Sequence, residues 1–168
     1  SSATNMNRMF YRALVFNGNL SKWNTSKVTT MKEMFAGATS FNQKIGSWDV
    51  SKVTTMHAMF GGAISFNQPL GTWDVRSVED MSLMYAAALS FNQPLRTWDT
   101  RSVQTYDSMF KDAEVFDQDL CAWRKRTVSR ESLNTESMFD ASGCRDKIFL
   151  PPNGFCHYCD EEAESLVS

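Results

Sequence analysis

Apolar residues along the chain recur with a period of 25 residues. All five tryptophans occupy one position of this period, and phenylalanines, aliphatic residues and methionines keep fixed distances from them. Self-similarity at a fixed period is typical of repeat proteins, in which each unit buries its apolar face only against its neighbours. We therefore expect one continuous core that contains a ladder of Trp23, Trp48, Trp73, Trp98 and Trp123.

The first half of each unit has the spacing of an amphipathic helix. Val53, Met56 and Met59 lie three residues apart, which predicts a helix over about residues 50–62 with its apolar stripe inward. Asp49 stands directly before this segment, where its carboxylate could accept the free N–H groups of the first helical turn. The equivalent residues of other units, Asn24, Asp74 and Asp99, have the same expected role.

The second half of each unit predicts a short strand. Residues 70–73 alternate large apolar residues with small or polar ones, as half-buried strands do. Stacked strands lie about 4.8 Å apart, whereas packed helices need about 8–10 Å, so an array of such units should curve. The predicted fold is an α/β solenoid, a leucine-rich-repeat-like, right-handed curved coil of five to six strand-turn-helix units with a disulfide-bearing C-terminal cap.

The period defines three regions. The repeats extend over residues 1–139, with an insertion of four residues after Val128, where the terminal unit departs from the pattern. Residues 140–159 form the expected cysteine cap, and residues 160–168 are an acidic tail. The first repeat has no capping segment before it, which predicts an open apolar edge.

The repeat, seen in MFGGAISFNQPLGTWDVRSVEDM, resembles the BspA-like leucine-rich-repeat surface proteins. The resemblance covers residues 6–139 and is to the 25-residue variety found in mycoplasma lipoproteins. The elements LCAW and FCHYC resemble the ending of secreted protist members. The resemblance implies a surface-exposed role in adhesion or protein interaction, without known catalysis.

The cysteines lie in or beside the cap. An even number confined to one end predicts local disulfides and an oxidising compartment. Of the three possible pairings we favour Cys121 with Cys144 and Cys156 with Cys159. A zinc site of four cysteines is the first alternative, although zinc normally uses two close-spaced pairs and only one is present. A redox-active CxxC is the second.

Composition excludes several classes of partner. Lys and Arg total 17 against 19 Asp and Glu, a net charge of -2, so no nucleic-acid partner is expected. No apolar run approaches the roughly 20 residues that span a bilayer, so no direct membrane insertion is expected.

Catalytic and metal chemistry is not expected either. His57 and His157 are the only histidines, and neither has a repeated nucleophile or acid partner. The stacked carboxylates Asp49, Asp74 and Asp99 suggest calcium, but helix capping already accounts for them. We therefore expect no enzyme activity, no cofactor and no metal site.

One modification site is predicted. Asn19-Leu20-Ser21 is a glycosylation acceptor sequence, and so is Asn24-Thr25-Ser26. Because glycosylation would remove the capping role of Asn24, Asn19 is the better candidate.

These observations predict a non-catalytic protein-interaction or adhesion scaffold, secreted or at the cell surface. The open first repeat and the acidic tail favour a protein partner, and a glycan is the second class of ligand. The alternative is a structural subunit docked in a larger assembly, membrane-associated in an oxidising organelle lumen.

Overall fold

The computed structural model describes residues 3–123, 133–144 and 154–158. Within these ranges most of the backbone forms turns rather than helices or strands. Strand β1 is Gly154–Phe155 and strand β2 is His157–Tyr158, and the two pair antiparallel with Gly154 opposite Tyr158. Helical backbone occurs in the described residues only at 121–123.

The predicted α/β solenoid is therefore wrong. Residues 57–62 form consecutive turns where a helix was expected, and residues 71–72 form a turn where a strand was expected. The N–H groups of Met59 and Gly61 donate to the carbonyls of Met56 and Ala58, each three residues back. An α-helix would bond four residues back and keep every φ negative, whereas Ala58 has a φ of 48°.

The backbone donors of the turn segment alternate between two kinds of acceptor. Between the turn-closing bonds, the N–H groups of Met56 and Ala58 donate to the carbonyls of Asp80 and Ser82 in the next repeat. This alternation explains the misleading pattern, because turns closed over three residues place apolar side chains on one side at nearly helical spacing.

Successive repeats lie side by side in parallel register. Isolated parallel bridges join equivalent residues of neighbouring repeats at one position per repeat. The last of them reaches four residues further along the chain than the 25-residue period, which accommodates the insertion before the terminal repeat. The bridged residues are Asn5, Thr30, Thr55, Asp80, Thr105 and Asn134.

Aromatic rings form the centre of the core in three stacked columns. Within a repeat, Phe35 and Phe41 stack at 3.9 Å between ring centroids. Between repeats, Phe35 stacks on Phe60 at 5.7 Å and Trp73 on Trp98 at 6.5 Å. Each buried ring of this kind contributes about 1.5–3 kcal/mol relative to an exposed one, so the columns are a main source of stability.

Polar ladders hold the same register at the edge of the core. The indole N–H of Trp73 donates to the carbonyl of Ile45 in the previous repeat. The Asn42 side-chain oxygen accepts both the N–H of Asn67 and the side-chain amide of Gln68. The same arrangement recurs from repeat to repeat and ends at Asp117, whose N–H donates to the side chain of Asn92.

The tryptophan ladder is not equally buried along its length. Trp48, Trp73, Trp98 and Trp123 are at most 4% exposed, whereas Trp23 is 37% exposed. Trp23 stacks on Trp48 on one side only, because it belongs to the first repeat. The first repeat therefore presents an incompletely covered apolar face.

This difference predicts unequal costs for the same substitution. Trp73→Ala should lower the free energy of unfolding by about 3–5 kcal/mol, because it opens a cavity between two repeats and removes the bond to Ile45. Trp23→Ala should cost less than half of that, because its site already reaches solvent. Urea unfolding followed by circular dichroism compares the two variants. Equal losses would contradict the stacking of repeats described above.

Candidate functional site

An open groove of about 680 Å³ crosses four repeats on one side of the stack. Its lining comes from three positions of the period, so that each repeat contributes neighbouring residues. None of its described lining residues is acidic or aromatic. The lining residues are Ser21, Lys44, Gly46, Ser47, Pro69, Gly71, Thr72, Pro94, Arg96 and Thr97.

Two glycines, which have no side chain, form the floor of the groove. Gly46 and Gly71 occupy the position that carries side chains at Ser21 and Arg96 in the flanking repeats. A Cβ at Gly46 would come within 2.9 Å of the Pro69 carbonyl oxygen, so the next repeat packs too closely for a larger residue. The two glycines therefore leave a depression between side chains at either end.

The two walls are apolar or already hydrogen-bonded. One wall consists of Pro69 and Pro94. On the other wall, the hydroxyls of Thr72 and Thr97 donate to the carbonyls of the floor residues Gly46 and Gly71 at 3.0 and 2.8 Å. These bonds fix the threonine rotamers, so the groove is rigid before any ligand arrives.

The groove is positively charged. Lys44 and Arg96 are exposed residues of its lining, in the second and fourth repeats. Among the described residues, no carboxylate lies within ion-pair distance of either side chain. An anionic group entering the groove would therefore meet two cations that have no carboxylate partner among residues 3–123, 133–144 and 154–158.

The column of carboxylates predicted as helix caps has a different role. Asp49 accepts the N–H and hydroxyl of Ser51, which lowers the pKa of its carboxyl group. The guanidinium of Arg76 donates to both oxygens of Asp74 and likewise lowers the pKa of Asp74. Asp99 pairs with Arg101 in the same way. These side chains cap turns, not helices, and each is engaged within its own repeat.

The cap contains one disulfide whose two partners are described. Cys144 is bonded to Cys156, and their Cα atoms are 4.9 Å apart. The favoured pairing of Cys121 with Cys144 and of Cys156 with Cys159 is therefore wrong. Cys121 is also in a disulfide, and Cys159 lies outside the described residues.

The cap closes the end of the asparagine ladder. The His157 Nε2 lies 3.2 Å from a carboxylate oxygen of Asp117, which replaces asparagine at this position. Within the described ranges, three groups of metal-ligand type converge only at Asp117, Cys156 and His157. The sulfur of Cys156 is bonded to Cys144 and is not a thiolate, so this cluster serves as a structural contact between cap and repeats.

The fold brings His57 of one repeat next to Asp80 and Ser82 of the following repeat. His57 Nδ1 lies 2.7 Å from the Ser82 hydroxyl, and this hydroxyl donates to the carboxylate of Asp80. The Oδ2 atom of Asp80 is 4.0 Å from the same Nδ1 atom of His57. In a catalytic triad the hydroxyl and the carboxylate bond opposite nitrogens of the histidine ring. Here both groups lie at Nδ1, so the three side chains form a hydrogen-bonded link between two repeats.

The predicted glycosylation residue lies at the margin of the groove. Asn19 is exposed, and its side-chain oxygen accepts the N–H of the groove residue Ser21. Sequence reasoning missed the groove itself. The signal was present as paired glycines at 46 and 71 and paired prolines at 69 and 94, but their positions relative to the next repeat are set only by the fold.

Together these features define a turn-built repeat protein with a preformed groove on its surface. A family model described as Mycoplasma protein of unknown function, DUF285, matches residues 1–82 and 43–147. The chain belongs to this family, which is associated with BspA-like surface repeat proteins. No curated protein and no solved structure matches the chain. No helix among the described residues is long and apolar enough to cross a membrane.

The disulfide of the cap should stabilise the last repeats. Replacing Cys144 and Cys156 together by serine should lower the free energy of unfolding by about 2–4 kcal/mol, because the unfolded chain loses a cross-link. Hydrogen exchange should quicken beside the cap and stay unchanged in the second and third repeats, because each repeat contacts only its neighbours. An unchanged urea midpoint for the double variant would show that the cross-link is dispensable.

Proposed function

We propose that the protein is a non-catalytic interaction module that holds an extended, acidic segment of a partner protein in its groove. The observation that carries this proposal is the open groove of about 680 Å³, whose described lining has one apolar wall, two cations without a carboxylate partner and no acidic side chain. Because the groove is positively charged, charge complementarity favours an acidic occupant. Because the groove follows the stack across four repeats, its shape favours an extended one.

Two physical features support binding at this site. The prolines of the wall, Pro69 and Pro94, offer apolar surface whose burial contributes about 25 cal/mol per Å². The floor is already ordered by the bonds from Thr72 and Thr97, so binding loses little conformational entropy on the protein side.

We also propose that the protein acts outside the reducing cytoplasm. Disulfides at Cys121 and between Cys144 and Cys156 favour an extracellular or cell-surface position, because reducing compartments keep thiols free. Membership of the secreted protist version of the family is also part of the proposal and rests on the elements LCAW and FCHYC.

A groove-filling variant tests this function. Peptides should be selected from a random library on the wild-type protein, and their affinity measured by calorimetry. Gly71→Met should weaken binding by at least about tenfold, because its side chain fills the floor of the groove. The matched control, Ser90→Met, places the same side chain on an exposed position outside the groove and should bind as the wild type does.

Two outcomes of this experiment would overturn the function. One is a library from which no peptide is enriched on the wild-type protein. The other is equal affinity of the selected peptides for Gly71→Met and for the wild type.

A further inference from the structure

The floor of the groove carries a row of backbone N–H groups without acceptors. Gly46, Gly71 and Arg96 occupy one position of the period in three successive repeats. Within the described part of the chain, the backbone N–H of each of these residues lacks a hydrogen-bond acceptor. A row of such donors, one per repeat, is a pattern that a ligand can match.

The flanking repeats show which chemical group fits these donors. The N–H of Ser21 donates to the side-chain oxygen of Asn19 at 2.9 Å. The N–H of Cys121, at the same position four repeats later, donates to a carboxylate oxygen of Asp119 at 2.8 Å. Where the residue two positions earlier in the sequence carries an amide or carboxylate oxygen, that oxygen thus accepts this N–H.

The three middle repeats lack that oxygen. The position of Asn19 and Asp119 is taken by Lys44, Pro69 and Pro94, whose side chains have no acceptor. Because the repeats share one backbone register, the three donors face the space that the Asn19 and Asp119 oxygens fill elsewhere. This space lies inside the groove.

We infer that the groove recognises carboxylates of an acidic extended peptide, whose oxygens take the place of the missing asparagine and aspartate side chains. This inference rests on the proposed function, because it specifies the ligand of the same groove. Hydrogen bonds from N–H groups to an ionised carboxylate are stronger than those to a neutral acceptor. Lys44 and Arg96 add positive charge at the same place.

The spacing of the donors sets the pattern of the ligand. Neighbouring repeats are about 4.8 Å apart, so the first and third donors are separated by about 10 Å along the stack. An extended chain in the polyproline II conformation rises about 3.1 Å per residue and places every third side chain on the same side, so two acidic residues three positions apart span this distance. Small or apolar residues between them would pack on Pro69 and Pro94.

The lining favours a peptide over an acidic glycan. Sugar rings commonly pack on an exposed aromatic face, and the part of the chain that the structure describes contributes no aromatic ring to this groove. The tryptophans of the second to fifth repeats are at most 4% exposed, so they offer no such face.

Substitution of the two prolines tests the inference directly. The double variant Pro69→Asn with Pro94→Asn supplies side-chain oxygens for the N–H groups of Gly71 and Arg96, as Asn19 does for Ser21. It leaves Lys44 and Arg96 in place, so any loss of affinity is not a loss of charge. The matched control, Pro69→Ala with Pro94→Ala, removes the same prolines and supplies no oxygen.

The probes are two synthetic eight-residue peptides and one sugar. One peptide has two glutamates three positions apart among alanines, and the other has glutamines at those positions. The sugar is oligogalacturonate. Calorimetry gives the affinities, and the amide shifts of Gly46, Gly71 and Arg96 in a ¹⁵N spectrum report the site.

The inference predicts that the glutamate peptide binds the wild type and the alanine control and shifts the three amides. The glutamine peptide, and the asparagine double variant, should each bind about tenfold or more weakly, which is the effect of losing charge-assisted bonds.

Equal binding of the two peptides would overturn the inference, and so would an unchanged affinity of the asparagine double variant. Binding of oligogalacturonate without binding of the glutamate peptide would overturn it as well. If the library peptides are acidic and lose affinity for Gly71→Met but bind the asparagine double variant as tightly as the wild type, the proposed function stands and this inference fails.

Discussion

The fold depends on how each repeat divides its backbone N–H groups. Alternate donors close turns within the repeat, as from Met59 to Met56, and the donors between them reach the next repeat, as from Met56 to Asp80. A repeat on its own would leave half of these donors without partners, which is costly for buried backbone. The stack of repeats is therefore the smallest unit that satisfies the chain. The aromatic columns follow from the same register, because equivalent side chains are held one above another.

The sequence was sufficient to predict the period and the core, but not the local structure. Val53, Met56 and Met59 are fully buried, as the apolar pattern predicted. The helix was wrong because turns closed over three residues and a helix produce almost the same apolar spacing. The distinguishing feature is the positive φ at residues such as Ala58 and Leu83. Alanine and leucine favour helices, so only the contact with the next repeat can impose that conformation.

The groove could not be predicted for a related reason. Gly46 and Gly71 are visible in the sequence, but their meaning depends on where the next repeat approaches the backbone. The proline positions are informative only once the turn is known, because the bond from Ser21 to Asn19 shows what the prolines replace. Sequence proximity also misled the disulfide prediction, since β1 and β2 hold Cys156 between them, where it meets Cys144.

Because the groove is built from equivalent turns, its length can change only in whole repeats. The groove continues for as many successive repeats as have a side chain without an acceptor at the position of Pro69, and it stops where Asn19 and Asp119 return. Duplicating a unit such as the one around Trp73 would lengthen the groove by one repeat without a new core. Within this architecture, the groove can therefore change by copy number and by single-residue exchanges at one surface position, independently of the buried columns.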